Sequence, residues 1–203
     1  MIMVNFLNLN KKDLFPKWLF SNLGKICLNI VIKKDEVIVT IIKESLIPVI
    51  RFIKIHTNCQ FKVLSDLTCV DFPTKKSRFI VVYQFLSIRF SQKIIIKINT
   101  SLVSDSICTV FPSSNWYERE VFDIFGVFFK GHPDLRRILT DYGFEGYPLR
   151  KDFPLSGFNE VRFDYERQRV VCEPLELSQE FRNFYYLFPK QIKINNYQNF
   201  FKY

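Results

Sequence analysis

The sequence predicts an α+β fold. An N-terminal mixed β-sheet domain with packed helices is followed by a long, extended C-terminal tail with little regular structure. Three observations predict it. Helix-patterned and β-rich stretches alternate through the first part of the chain, in the order helix, two strands, helix, several strands. From Lys130 to about Leu155 no period of 3.6 or of 2 survives, because Gly131, Pro133, Gly143, Gly146, Pro148 and Pro154 interrupt every would-be element. The basic residues change in kind at nearly the same place: residues 1–117 hold 13 Lys and 3 Arg, whereas residues 118–182 hold 2 Lys and 8 Arg.

In chain order, residues 11–23 predict a short helix with Pro16 in its early turns. Lys25–Ile32 and Glu36–Ile42 predict a hairpin turning on Lys33, Lys34 and Asp35. Ser45 is a cap for a helix from Leu46 to about His56, with Leu46, Val49, Ile50 and Ile53 as its core stripe. Phe61–Leu64 and Thr68–Phe72 are short strand candidates around Ser65 and Asp66. Arg78–Ile88 and Lys93–Asn99 predict a second hairpin, and Ile107–Phe111 a further strand. Asn115 with Glu118 has the spacing of a capping box for a helix in which Tyr117, Val121 and Ile124 share a face and Gly126 stops the helix. Glu160–Tyr165 and Arg169–Glu173 have strand character, Glu176–Tyr186 reads as a short helix or turn, and Lys190–Tyr203 is polar and aromatic. The domains follow: a globular part over 1–129, a tail over 130–186, and a variable extension over 187–203.

The irregular stretch is not a solvated linker. It carries Leu135, Ile138, Leu139, Tyr142, Phe144 and Phe153, too many bulky apolar groups for a disordered segment. Irregular stretches of this length are uncommon in compact domains unless they have a function. Its arginines suit desolvated pairing with carboxylates. The expectation is a segment that folds against something the chain itself lacks. Glu118, Arg119, Glu120 and Asp123 crowd the preceding helix. They read either as a solvated helix end or as partners for Arg136, Arg137 or Arg150 as the tail folds back.

Composition excludes several classes. The formal net charge is +9, but the lysines of residues 1–117 are scattered rather than grouped on one face. A basic nucleic-acid-binding module is therefore the alternative reading, not the leading one. Five cysteines at 27, 59, 69, 108 and 172 show no Cys-x-x-Cys spacing, so no metal ligand set is expected. No phosphate-binding glycine loop or hydrolase elbow occurs. The only histidines are His56 and His132. His132 lies between Gly131 and Pro133 and reads as a turn residue bonding backbone or a partner. A free-standing enzyme would need it as a base with Asp134. No catalytic residue is assigned. No apolar run approaches the ~18 residues of a membrane span, and the N-terminus resembles neither a signal nor a transit peptide. The wealth of Phe, Ile, Lys and Asn fits an AT-biased, organelle-encoded gene.

Glu118–Gly126, Gly131–Gly146, Pro148–Leu155, Glu160–Arg162, Glu173–Glu176 and Gln179–Arg182 together resemble the signature of one family in respiratory complex I (NADH:ubiquinone oxidoreductase). It is the 30-kDa-type core subunit, numbered 9 in mitochondria, together with its bacterial counterpart. Tyr147 stands where that family usually has His, and Ile124 where it usually has Met. The resemblance implies a non-redox core subunit of the hydrophilic arm, on the matrix side of the mitochondrial inner membrane or the cytoplasmic face of a bacterial one. The complex uses NADH, FMN, iron–sulfur clusters and quinone, none of them bound by this chain. The tail is implied to wrap the neighbouring subunit that helps form the quinone site. The partner-binding candidates are Glu118, Arg119, Glu120, His132, Asp134, Arg136, Arg137, Arg150, Lys151, Asp152 and Arg182.

Overall fold

The computed structural model describes residues 14–33, 36–182 and 184. Helix α1 (Leu14–Leu23) leads into strands β1 (Cys27–Lys33) and β2 (Glu36–Ile41). A single 3-10 turn, Lys43–Ser45, precedes α2 (Leu46–Ile55). Strands β3 (Val63–Asp71), β4 (Phe79–Ser87) and β5 (Gln92–Thr100) complete a sheet of order β1-β2-β5-β4-β3. The sheet is mixed, as the sequence predicts, because β2 runs parallel to β5 while the other pairs are antiparallel. A parallel pair needs a crossover, and here it passes through α2, β3 and β4.

Period-2 alternation decides which face is covered. Val37, Val39 and Ile41 of β2, Ile94, Ile96 and Ile98 of β5, and Phe79, Val81, Tyr83 and Phe85 of β4 are all buried. Against them pack Leu19 and Leu23 of α1 and the α2 stripe Leu46, Val49, Ile50 and Ile53, the four residues its spacing singles out. Burying side chains of this size contributes roughly 1.5–3 kcal/mol each, so these layers form the body to which the rest is attached.

Several local expectations are corrected. Phe61–Leu64 and Thr68–Phe72 are not two strands: they merge into β3, with a register shift between Leu64 and Asp66. The extra residue is absorbed as a bulge, so the polar Ser65–Asp66 pair does not break the strand. Ile107–Phe111 forms a turn, closed by Val110 N–H and Phe111 N–H on the Ile107 carbonyl. The strand lies earlier, at β6 (Val103–Asp105), which pairs in parallel with β7 (Phe128–Lys130). Helix α3 (Ser114–Phe125) connects these two strands and is thereby fixed over β3. Glu118 does not cap α3. The helix starts earlier, with Ser113 as its first flanking residue, and Glu118 turns into the core. Ser45 likewise makes no side-chain cap bond to α2. Residues 176–182 contain no helix, while the rest of the predicted Glu176–Tyr186 element, residue 184 apart, and the 187–203 extension lie outside the described residues.

The chain divides into two compact units after Gly157, so that residues 130–157 belong with the sheet domain. The second unit contains a hairpin of β8 (Asn159–Asp164) and β9 (Arg169–Pro174). Val161 and Phe163 pair with Cys172 and Val170 on one face, and Arg162 bonds Glu173 at 2.7 and 2.9 Å on the other. No helix of the described residues is long and apolar enough to cross a membrane.

Candidate functional site

Three carboxylates, Asp123, Glu118 and Asp71, have fully buried side chains; Asp123 and Asp71 bond the irregular segment, and Glu118 the turn after β6. Asp123 sits on the last turns of α3 and faces the irregular segment. Its Oδ2 accepts the backbone N–H groups of Ile138, Leu139 and Thr140 at 3.1, 2.7 and 2.9 Å. Its Oδ1 accepts Thr140 Oγ1 at 2.7 Å and Arg137 Nη1 at 3.3 Å. Three successive N–H groups converging on one oxygen replace the ladder that this non-periodic stretch cannot make for itself. Burial alone would push the Asp123 carboxyl up. The Thr140 hydroxyl and the three backbone donors outweigh it and hold the group below the usual carboxylate range.

Glu118 sits one turn earlier and faces the turn after β6. It accepts Ser106 Oγ at 2.6 Å, Ile107 N–H at 2.8 Å and the Cys108 thiol at 3.4 Å. Burial pushes its carboxyl above the ordinary range, and the Ser106 and Ile107 bonds offset this only in part. His132 Nε2 lies 3.9 Å from Glu118 Oε2 and 3.2 Å from the Asn115 carbonyl. A carbonyl can only accept, so Nε2 carries the proton. Nδ1 in turn accepts Asp134 N–H at 3.1 Å. This is the pattern of a neutral ring clamped by two backbone groups.

Cys108, Glu118 and His132 have potential ligand atoms within 4.8 Å of one another. Each is engaged with its own surroundings: His132 bonds backbone through both nitrogens, and the Cys108 thiol donates to Glu118. Burial pushes the Cys59 and Cys69 thiols up, each to about 12. Cys108 is the one cysteine in that group, so the donor set does not suit an iron–sulfur cluster, which takes several thiolates.

The third carboxylate, Asp71, closes β3. Arg78 grips it at 2.6 and 2.8 Å, and Lys151 N–H reaches it at 2.8 Å. The same guanidinium binds Asp152 at 2.8 and 3.1 Å. Arg78 therefore bridges the sheet edge to residues 151–152, and this pairing holds both carboxyls below their usual range. Between the Asp123 and Asp71 anchors, Arg150 Nε donates to the Phe125 carbonyl at 2.6 Å. Its guanidinium lies 4.2 Å from the Tyr147 ring and 5.3 Å from the Phe79 ring. Arg137 approaches the same tyrosine at 5.1 Å. Tyr147 is thus a stacking platform for two cations. Gly126 is required beneath it: φ is +75°, and a Cβ there would lie 2.6 Å from Tyr147 Cζ.

The segment is therefore not folded only against another chain. Arg137, Arg150 and part of its backbone bond inward, while Leu139, Tyr142, Leu149 and Leu155 stay exposed. Among the sequence candidates, Glu118, His132, Arg137 and Arg150 turn toward this chain's own domain, and Asp152 pairs with Arg78. Lys151 contributes its backbone to Asp71 and leaves its side chain exposed. Arg119 Nε donates to the Arg136 carbonyl at 3.1 Å and stacks on exposed Trp116. Arg136 and Asp134 pair with one another at 3.0 Å on the surface. Glu120 and Arg182 are exposed. Asp71, Arg78 and Ser106 take part in these contacts, and the sequence reading missed them. Only the Asp71–Arg78 bracket around a short polar turn could have signalled one.

Residues 39–159 match the family model described as "Respiratory-chain NADH dehydrogenase, 30 Kd subunit". The chain is 50% identical over 179 residues to the "NADH-ubiquinone oxidoreductase 30.4 kDa subunit, mitochondrial" of Neurospora crassa, an alignment covering 87% of this chain and 62% of that one. It is 52% identical over 165 residues to the "NADH-ubiquinone oxidoreductase subunit 9" of Reclinomonas americana, covering 80% of this chain and 81% of that one. A chain in the structure of a membrane-bound sulfane sulfur reductase, an archaeal respiratory membrane complex, shares the fold with a TM-score of 0.62 at 22% identity, over 72% of this chain and 87% of that one. The chain spans under two thirds of the length of the fungal relative, yet the family match holds the sheet from Val39 within β2 onward, α3 and the whole carboxylate-anchored segment. The protein belongs to the family of the 30-kDa subunit of the respiratory-chain NADH dehydrogenase.

Proposed function

We propose that this chain is a non-redox subunit of the peripheral arm of an NADH:ubiquinone oxidoreductase. It works there by scaffolding a neighbouring subunit, the one that helps form the quinone site. The arm carries electrons from NADH through FMN and iron–sulfur clusters to quinone, and this chain holds none of those groups. The arm lies on the matrix side of the mitochondrial inner membrane, with the cytoplasmic face of a bacterial membrane as the equivalent position.

One observation carries the reading. Residues 131–157 are tied back to this chain's own domain through Asp123 and Asp71, yet leave large apolar side chains in solvent, with Tyr142 fully exposed. The hairpin of the second unit likewise exposes Val161, Phe163 and Val170 on one face. A two-stranded hairpin is marginal alone. Exposed apolar surface on a pinned, irregular backbone is the pattern of a subunit interface. About 50 residues laid on a partner would bury on the order of 2,000 Å², the obligate class. The exposed Arg136–Asp134 pair and Arg119–Trp116 stack supply the polar and hot-spot chemistry of such a surface.

The test is native-gel staining for NADH dehydrogenase activity in cells carrying Tyr142→Ala with Leu149→Ala. Both side chains are exposed, so the isolated chain should fold normally. The expected result is less assembled enzyme, with normal clusters in whatever assembles. Normal assembly with slowed quinone reduction would instead assign the chain a direct chemical role.

A further inference from the structure

Arg119 is held in place by two contacts, neither of them with an anion. It lies on α3 about one turn after Trp116, and its guanidinium sits 5.2 Å from the centre of that exposed ring. Its Nε donates to the Arg136 carbonyl at 3.1 Å. That carbonyl is itself fixed, because Arg137 and Ile138 bond buried Asp123 and His132 bonds the Asn115 carbonyl, both on the same helix. Stack and hydrogen bond together set the plane of the guanidinium. Among the described residues, its two Nη groups have no hydrogen-bond partner. A planar fork of that kind matches a carboxylate, which accepts two parallel N–H groups.

The surroundings decide what completes it. Arg136 already has a carboxylate, Asp134 at 3.0 Å. Asp123 and Glu118 of the same helix are buried and bonded elsewhere. Glu120 is exposed but adjacent in sequence, and residues i and i+1 of a helix do not face each other. Residues 185–203 contain no Asp or Glu. The whole chain carries a formal net charge of +9, so a second copy brings an excess of the same sign. A phosphate dianion or a nucleic-acid backbone would bring its charge beside Asp134 and Glu120. A single carboxylate neutralises this single guanidinium and adds no further charge. Trp116, 67% exposed, offers apolar surface beside it.

Resting on the reading of this chain as an assembled subunit, we propose that Trp116 and Arg119 form a receptor for an acidic side chain of a different subunit. The Arg119 fork takes the carboxylate of an Asp or Glu, the Arg136 carbonyl positions the fork, and Trp116 covers an apolar residue next to that carboxylate. Trp and Arg are among the residue types that dominate binding at interface centres. A side chain fixed before contact also loses less entropy on binding.

The experiment uses the full chain, free and within its native assembly. Phenylglyoxal, which modifies accessible guanidinium groups, is applied to the wild-type chain in both states. Modification of Arg119 should slow about tenfold or more on assembly, as for a desolvated hot spot. Arg119→Lys then places an amine where the fork was, and a carbodiimide joins that amine to a carboxylate in contact with it. The expected product is an amide to an Asp or Glu of another subunit, identified by sequencing the joined peptides. Arg119→Glu should enter the assembly about tenfold less than Arg119→Lys, with amide exchange over β4 and β5 unchanged in both. No adduct, an adduct solely to carboxylates of this chain or of a second copy, or a phosphoramidate to lipid would overturn the inference. So would equal modification of Arg119 in both states, or equal incorporation of the two variants. Each of these results leaves the proposed function standing. A wild-type chain missing from the assembly would overturn both.

Discussion

Replacing Asp123 should release the irregular segment from α3 without unfolding the sheet. The carboxylate accepts five hydrogen bonds, three from successive backbone N–H groups, one from Thr140 and one from Arg137, and its side chain is fully buried. Hydrogen bonds to a charged acceptor contribute about 1.5–3 kcal/mol each, but they are not additive, and a freed loop recovers part of the loss by hydration. Asp123→Ala should therefore cost about 3–5 kcal/mol, the range for removing one partner of a buried charged network. Asp123→Asn keeps the shape and one acceptor oxygen for the backbone groups, but its amide meets Arg137, so ~1–3 kcal/mol is expected. Amide exchange at Ile138, Leu139 and Thr140 reads this directly. At about 1.4 kcal/mol per decade, Ala should accelerate it between a hundredfold and a few thousandfold. Because folding lowers the pKa of Asp123, the wild-type stabilisation is complete above the unfolded value of about 3.9 and fades as pH falls through the folded value. The segment should stay closed from pH 7 to 5 and open in stronger acid. Exchange within threefold of wild type in Asp123→Ala would refute the claim that this carboxylate holds the segment.

Glu118 behaves oppositely. Folding raises its pKa, so its contribution is complete below about 4.3 and declines as pH rises through the folded value. Glu118→Gln should cost under ~1 kcal/mol at pH 7 in denaturant titration and flatten that pH dependence. Gly126→Ala combines a positive φ with a clash against Tyr147. It should cost roughly 1–3 kcal/mol and expose residues 147–154 to limited proteolysis. Arg78→Ala leaves the buried Asp71 carboxylate with only the Lys151 N–H among its named partners. It should destabilise by about 2–4 kcal/mol, and Arg78→Lys should not restore the two-carboxylate bridge, as seen by thermal melting.

How much was legible in the sequence depends on how local each signal is. The α2 stripe and the β4 and β5 alternation encode their buried face directly, and those elements form as their spacing predicts. Gly126 announces the end of α3, because a left-handed residue there needs no Cβ. Glu118 shows the opposite case. Its spacing from Asn115 matches a capping box, but the tertiary demand of Ser106 and Ile107 for an acceptor overrides the local pattern. The irregular segment was legible as ordered from its apolar content. Its anchors were not, since Asp71 and Lys151 lie 80 residues apart and no period connects them. The pairing of Arg137 with Asp123 was within reach, because arginines facing a crowded acidic helix invite it. The bridging role of Arg78 was not, because its second carboxylate, Asp152, lies 74 residues away.

Hydroxyl-radical footprinting of Tyr142, Phe163, Tyr165 and Phe181, in the free chain and in the native assembly, tests the central claim most directly. These side chains are 103%, 48%, 85% and 61% exposed in the chain alone. Strong oxidation in the free chain and protection of all four in the assembly is the predicted result. Equal oxidation in both states would mean that this surface meets no partner, and would contradict the account.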